Sequence, residues 1–240
     1  MKTAVADRGF ARWPGRLDAR ALVELAGLFD RLGSARPGVR VDPCECDALA
    51  AVVTVMPSVR AILGDEARAV RALLFDKHEG ANWALGWHQD RTIEVAERAD
   101  TPGYGPWTQK QGRLHVGPPI ALLEHMLTLR IHLDAVPADN APLHVAPESH
   151  RMGFVPEHDI ERVVAICGSS VCLAEAGTIW FYATPILHGS PRAAVGQRRR
   201  VLQLDFAATG LPDGLRWAAD VARCERRLRA GEVSPKSLPL

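Results

Sequence analysis

A chain of 240 residues that is 47% hydrophobic and 24% charged can bury a sizeable core and suits a single domain spanning 1–240. Its 29 Lys and Arg against 28 Asp and Glu give a net charge of +1. No global field therefore gathers nucleic acid or an anionic membrane, and a small-molecule partner is expected.

Along the chain, the opening MKTAVADRGFARWPGR has no secretory-type apolar stretch, and no run reaches the ~20 apolar residues of a membrane helix. A cytoplasmic protein, monomer or homodimer, is the expectation. Apolar residues at helical spacing run from RLDARALVELAGLFDRLG through CDALAAVVTVMPSVRAILGDEARAVRALLF, interrupted at Gly33, Pro37, Pro43 and Pro57. This predicts a helical layer over 1–74. The five cysteines, Cys44, Cys46, Cys167, Cys172 and Cys224, lack CxxC spacing and read as reduced thiols.

From Phe75 the period falls to two, with turn-rich breaks such as DKHEGAN, TPGYGP, PADNAP and GSPRAAVGQ. Helices followed by a β region over 75–207 predict an α+β fold, a sandwich or barrel with helices on one face, and a tail or helix over 208–240. In LTLRIHLD, Leu127, Leu129, Ile131 and Leu133 share one face, and Thr128, Arg130, His132 and Asp134 the other. In RRRVLQLDF, Leu202, Leu204 and Phe206 oppose Arg199, Val201, Gln203 and Asp205. Residues 90–119 have little periodicity; the segment from Arg91 to 119 is either a lid or an ordinary surface excursion.

Two His-x-Asp pairs stand out, His88-Gln89-Asp90 and His132-Leu133-Asp134. On a strand, residues two apart share a face, so imidazole and carboxylate can reach one ion. A distant histidine would complete a two-His-one-carboxylate triad suited to non-haem iron(II). His188 is the candidate third ligand because an arginine cluster follows it. A guanidinium fork suits the distal carboxylate of an iron-chelating 2-oxoglutarate. Strand parity points Arg199, eleven residues after His188, inward, and Arg198 and Arg200 outward.

WHQD, then LTLRIHLDAVPADNAPLHVAPESHRMG, then HGS with its spaced arginine resemble the phytanoyl-CoA dioxygenase family of iron(II)/2-oxoglutarate oxygenases over roughly 75–207. The resemblance implies a double-stranded β-helix, the cupin-like jelly roll, with N-terminal helices packed on one sheet. It implies His88, Asp90 and His188 as iron ligands and Arg199 at the distal 2-oxoglutarate carboxylate. Gln89, Ser190, Thr128 and Arg130 fall near the cosubstrate, and His132 and Asp134 are not ligands. The activity implied is hydroxylation of a small metabolite or natural-product intermediate, with Fe(II), 2-oxoglutarate and O2 as cofactors and succinate and CO2 released. The alternatives are a cupin-like binding protein without turnover, or desaturation, cyclisation or halogenation; halogenating relatives carry a small residue where Asp90 stands.

Two family glycines are replaced, at Ala141 of Asp139-Asn140-Ala141 and at Glu148 of Pro147-Glu148-Ser149-His150, which puts the local turns in question. Lys77, His78 and Asn82 either face the cosubstrate or line a turn. His115 reaches the substrate or sits at the surface, and His144 and His150 read as structural. Trp83, Trp87 and Trp107 are core or pocket wall.

Overall fold

A computed structural model describes residues 1–32, 38–212 and 214–230. Its helices are α1 (Lys2–Arg8), α2 (Ala19–Leu32), α3 (Ala50–Leu63), α4 (Ile120–Glu124), α5 (Ile160–Cys167) and α6 (Ala218–Arg229). The first seven strands are β1 (Phe10–Arg12), β2 (Gly38–Val41), β3 (Arg68–Lys77), β4 (Leu85–His88), β5 (Ile93–Glu94), β6 (Trp107–Lys110) and β7 (Arg113–Val116). The remainder are β8 (Met126–His132), β9 (Leu143–Val145), β10 (Ser170–Cys172), β11 (Ile179–Ala183), β12 (His188–Ser190) and β13 (Arg199–Ala207).

Six strands in the order β1-β11-β8-β13-β3-β2 form the major sheet, and β10-β9-β12-β4 form the minor one. The two make the jelly roll of an α+β fold. Period-two alternation explains how the major sheet serves two purposes. Leu127, Leu129, Ile131, Phe181, Leu202, Leu204 and Phe206 form one apolar cluster with Ala21, Leu25, Leu28 and Phe29 of α2 and Val52, Val55 and Val59 of α3. The helices thus dock on one face, and the other face is free to carry polar side chains inward. At the edge of the minor sheet, Ala146 just after β9 and Leu187 just before β12 pack with Ile160 and Val163 of α5.

The expectation of a helical layer through residue 74 is corrected. Strands β1 and β2 lie within it, and β3 begins at Arg68. RAVRALLFDK pairs with β13 along its length and with β2 at Ala72–Phe75, and nearly every position is buried, which erases the alternation that marks a half-exposed strand. Pro57 does not break α3. It is exposed, and burial of Val55 and Val59 on the opposite face offsets the roughly 3 kcal/mol a mid-helix proline costs. Gly33 and Pro37 lie outside the described residues, as do residues 231–240 of the predicted tail. Residues 90–119 also hold more than a loop, since β5, β7 and β6 form a three-stranded sheet. Among the described residues no helix is long and apolar enough to cross a membrane, and all five cysteines are free.

Candidate active site

β4 and β12 are antiparallel neighbours in the minor sheet, and their register sets His188 opposite His88. The ring centroids are 4.3 Å apart. His88 Nδ1 lies 2.9 Å from Gly86 O and His188 Nδ1 lies 3.0 Å from Ile186 O. Each Nδ1 therefore carries the proton and donates to a carbonyl, and each Nε2 offers a lone pair. Burial, reinforced by His88, pushes His188 down to about 3, so it stays neutral at ordinary pH.

Asp90 follows just past the end of β4. Burial alone would raise its pKa, but Arg71, His188 and His88 together hold it well below the usual carboxylate range. Its Oδ2 faces Arg71 Nη2 at 3.2 Å and accepts a long hydrogen bond from Gln203 Nε2 at 3.4 Å. Both contacts use one oxygen and leave Oδ1 for another ligand. Among the described residues no three His, Cys, Asp or Glu side chains are drawn together around one point. Two imidazole lone pairs and a carboxylate oxygen are nonetheless the donor set that suits non-haem iron(II).

The inward face of the major sheet continues the site. Arg199 pairs with Lys77 across β13 and β3, and Val201 with His132 across β13 and β8. Arg199 is buried and its Nη1 donates to Ala141 O and, at 3.0 Å, to Ser190 Oγ. Lys77, also buried, donates to Ser190 Oγ at 3.0 Å and Pro191 O at 2.7 Å. Arg130 lies over the rings of Phe75 and Tyr182 at 5.4 and 5.9 Å. Among the described residues none of these three cations is paired with a carboxylate. Burial, then Arg199 and Arg130, brings Lys77 down to about 7, and burial with Arg130 brings Arg199 to about 9. Arg199 Nε and both nitrogens of the buried His132 have no hydrogen-bond partner. Buried polar atoms are rarely left so; a pocket built of cations and orphaned donors fits an anionic ligand such as the distal carboxylate of 2-oxoglutarate.

Several sequence expectations are thereby placed. Ser190 and Arg130 join Arg199. Thr128 does not: its hydroxyl donates to Asp205 Oδ1 at 3.0 Å and lies 3.1 Å from Thr184 Oγ1, which puts it at the Asp90 end. Gln89, expected near the cosubstrate, is tied to the surrounding loops. Its amide donates to Gly153 O and Pro185 O at 2.9 and 2.7 Å, and its carbonyl accepts from Val155 N at 2.9 Å, making it a strut between loops. His132 and Asp134 part company, because β8 ends at His132 and Asp134 accepts from Arg200 Nη2 at 2.7 Å and Nε at 3.0 Å. Arg198 likewise turns away to Asp76 at 2.8 Å.

Lys77 belongs to the pocket. Asn82 instead accepts from Ala193 N and donates to Ala193 O, and His78 accepts from Gly80 N within its own turn. His115 is fully buried with Nδ1 on Arg113 O and is no surface histidine. Trp83 lies under Lys77 Nζ at 4.9 Å, while Trp87 and Trp107 join apolar clusters. Arg71 went unassigned in the sequence: besides Asp90 it pairs with the buried Asp205. The placement of Asp205 on the polar face of its strand was the available signal, since a buried carboxylate calls for a cation.

A family model described as phytanoyl-CoA dioxygenase (PhyH) matches residues 33–201. No curated protein matches the sequence. Among solved structures, the non-haem α-ketoglutarate-dependent epimerase SnoN of nogalamycin biosynthesis superposes with a TM-score of 0.62 at 16% identity, covering 86% of this chain and 79% of that one. EctD from S. alaskensis gives 0.62 at 15%, over 86% and 75% of the two chains. HygX from Streptomyces hygroscopicus, with nickel and 2-oxoglutarate bound, gives 0.59 at 15%, over 85% and 84%. At such identities the likeness is one of fold.

Proposed function

The chain belongs to the phytanoyl-CoA dioxygenase family, and on that basis we propose that it is an iron(II)/2-oxoglutarate-dependent oxygenase that hydroxylates a small-molecule metabolite or natural-product intermediate. The observation that carries this reading is the pair of histidines facing each other across β4 and β12, each with Nδ1 held by a backbone carbonyl. The nickel and 2-oxoglutarate in HygX and the 2-oxoglutarate in another EctD structure support the same cosubstrate here.

Iron(II) with 2-oxoglutarate and dioxygen supplies the oxidising power when bound, and succinate and carbon dioxide are the by-products. The chain's residues hold and orient. His88 and His188 offer Nε2 to the ion and Asp90 offers Oδ1, while Arg71 and Gln203 fix the carboxylate through Oδ2. Arg199, with Lys77 and Ser190 beside it, grips the distal carboxylate of 2-oxoglutarate and so fixes how the cosubstrate lies. Tyr182, whose ring is 5.3 Å from that of His188, and Phe75 exclude water between the two ends.

Succinate formation from 2-oxoglutarate in the presence of iron(II) and ascorbate tests the reading. It is expected in the wild type and not in His188→Ala. Iron binding without any succinate would favour a cupin-like binding protein, and succinate formed equally by the variant would overturn the ligand set. With Asp90 occupying one iron position, added chloride should not change the product.

A further inference from the structure

Two further cations gather beyond the Asp90 end of the inward face. Arg40 lies opposite Leu73 in the β2–β3 ladder, on the same side of the sheet as Arg71 and Lys77. The turn of the β6–β7 hairpin is stitched onto this strand, since Arg40 N donates to Gln111 Oε1 at 3.0 Å and Gln111 Nε2 donates to Gly38 O at 2.7 Å. Lys110, next to Gln111, is turned to Thr92, whose hydroxyl accepts from Nζ at 3.0 Å. Thr92 follows Asp90 closely in the chain.

Arg40 and Lys110 are half-buried, and among the described residues neither is in an ion pair. Arg40 Nε is buried without a partner. Of the carboxylates that act on them, Glu94 pairs with Arg113 through Oε1 at 2.7 Å, its Oε2 having no hydrogen-bond partner, and Asp90 pairs with Arg71 through Oδ2 at 3.2 Å. Burial and the repulsion of Arg71 lower the pKa of both groups, and Arg40 itself adds to the effect on Lys110. A pair of partly desolvated cations left over beside the metal end is costly unless an anion completes it.

We propose that the substrate carries an anionic head group, a carboxylate or a phosphate, which Arg40 and Lys110 hold beside Asp90. The proposal rests on the iron/2-oxoglutarate reading and narrows its substrate class. The two cations are specificity residues; they take no part in holding iron or 2-oxoglutarate.

Isothermal titration of the full chain with nickel(II), then 2-oxoglutarate, then matched probes tests it. The probes are hexanoate against hexanamide, and hexyl phosphate against hexanol. In the wild type an anionic probe should bind at least about tenfold tighter than its neutral partner, the scale of one charge-assisted contact. The preference should vanish in Arg40→Gln and Lys110→Met. It should persist in the charge-conserving Arg40→Lys and in Arg162→Gln, whose exposed side chain pairs with Asp159. Affinity for 2-oxoglutarate should not change in any of these. Hexanoate or hexyl phosphate as the better ligand tells which head group is taken. The proposal is overturned if neither anion outbinds its neutral partner, if the preference survives both charge-removing variants, or if those variants weaken 2-oxoglutarate binding instead. Failure of nickel and 2-oxoglutarate to bind would sink the oxygenase reading separately, and the probes would then be read on the bare chain.

Discussion

Arg198 and Arg199 are adjacent in the chain and opposite in fate. One, exposed, pairs with the buried Asp76, while the other is buried against Ser190 and Ala141 O. Replacing Arg199 with Met should raise the 2-oxoglutarate concentration for half-saturation at least about thirtyfold, the scale for losing one side of a buried charge pair. Arg198→Met should leave it unchanged, and the reverse pattern in succinate release would put the strand parity in error. Lys77 makes the same pocket sensitive to pH. Arg199 and Arg130 face it from β13 and β8, the Trp83 ring covers it, and its pKa falls to about 7. Its proton is therefore lost as pH rises through about 7, and a dianion then meets one cation fewer. Affinity for 2-oxoglutarate should fall across that window in the wild type and stay flat in Lys77→Met. Alternation along β13 made Arg199 legible in the sequence. The same alternation, which sets His88 and Asp90 on one face, sets Gln89 on the other. Asp205 signalled a cation, but that the cation is Arg71, 134 residues away, no local pattern shows.

Among the described residues, two of the three non-glycine positions with positive φ are Ala141 (50°) and Glu148 (67°). The first aims Ala141 O at Arg199 and at Ser190, 3.0 Å away. A left-handed conformation costs a non-glycine residue roughly 1–2 kcal/mol, of which the added chain entropy of glycine takes back roughly 0.4–1 kcal/mol. Glu148→Gly should therefore stabilise the fold by up to about 1 kcal/mol in urea unfolding. A loss of stability would mean that the side chain makes up for the strain. The sequence exposed these turns through their missing glycines. It exposed β8 and β13 through clean alternation, and it hid β3 because a strand buried on both faces shows no period. The β5–β7 sheet was hidden by short strands amid charge, glycine and proline.

At the scale of the whole molecule, the jelly roll separates two tasks. Apolar side chains of the major sheet seal against α2 and α3, and its inward face, closed by the minor sheet, carries a line of polar groups from Lys77 and Arg199 through Arg130, Tyr182 and Gln203 to Asp90. The layering was legible because the period of the apolar pattern changes near Phe75. The joining of His88 to His188 needed the β4–β12 pairing, which no local pattern encodes. The central claim is that these two histidines and Asp90 bind an iron that 2-oxoglutarate chelates. Anaerobic titration with iron(II) and 2-oxoglutarate, followed by the visible charge-transfer absorption of the chelate, tests it most directly. The band should saturate at equimolar iron in the wild type and be absent from His88→Ala/His188→Ala folded to the same circular dichroism; an undiminished band in that variant would contradict the account.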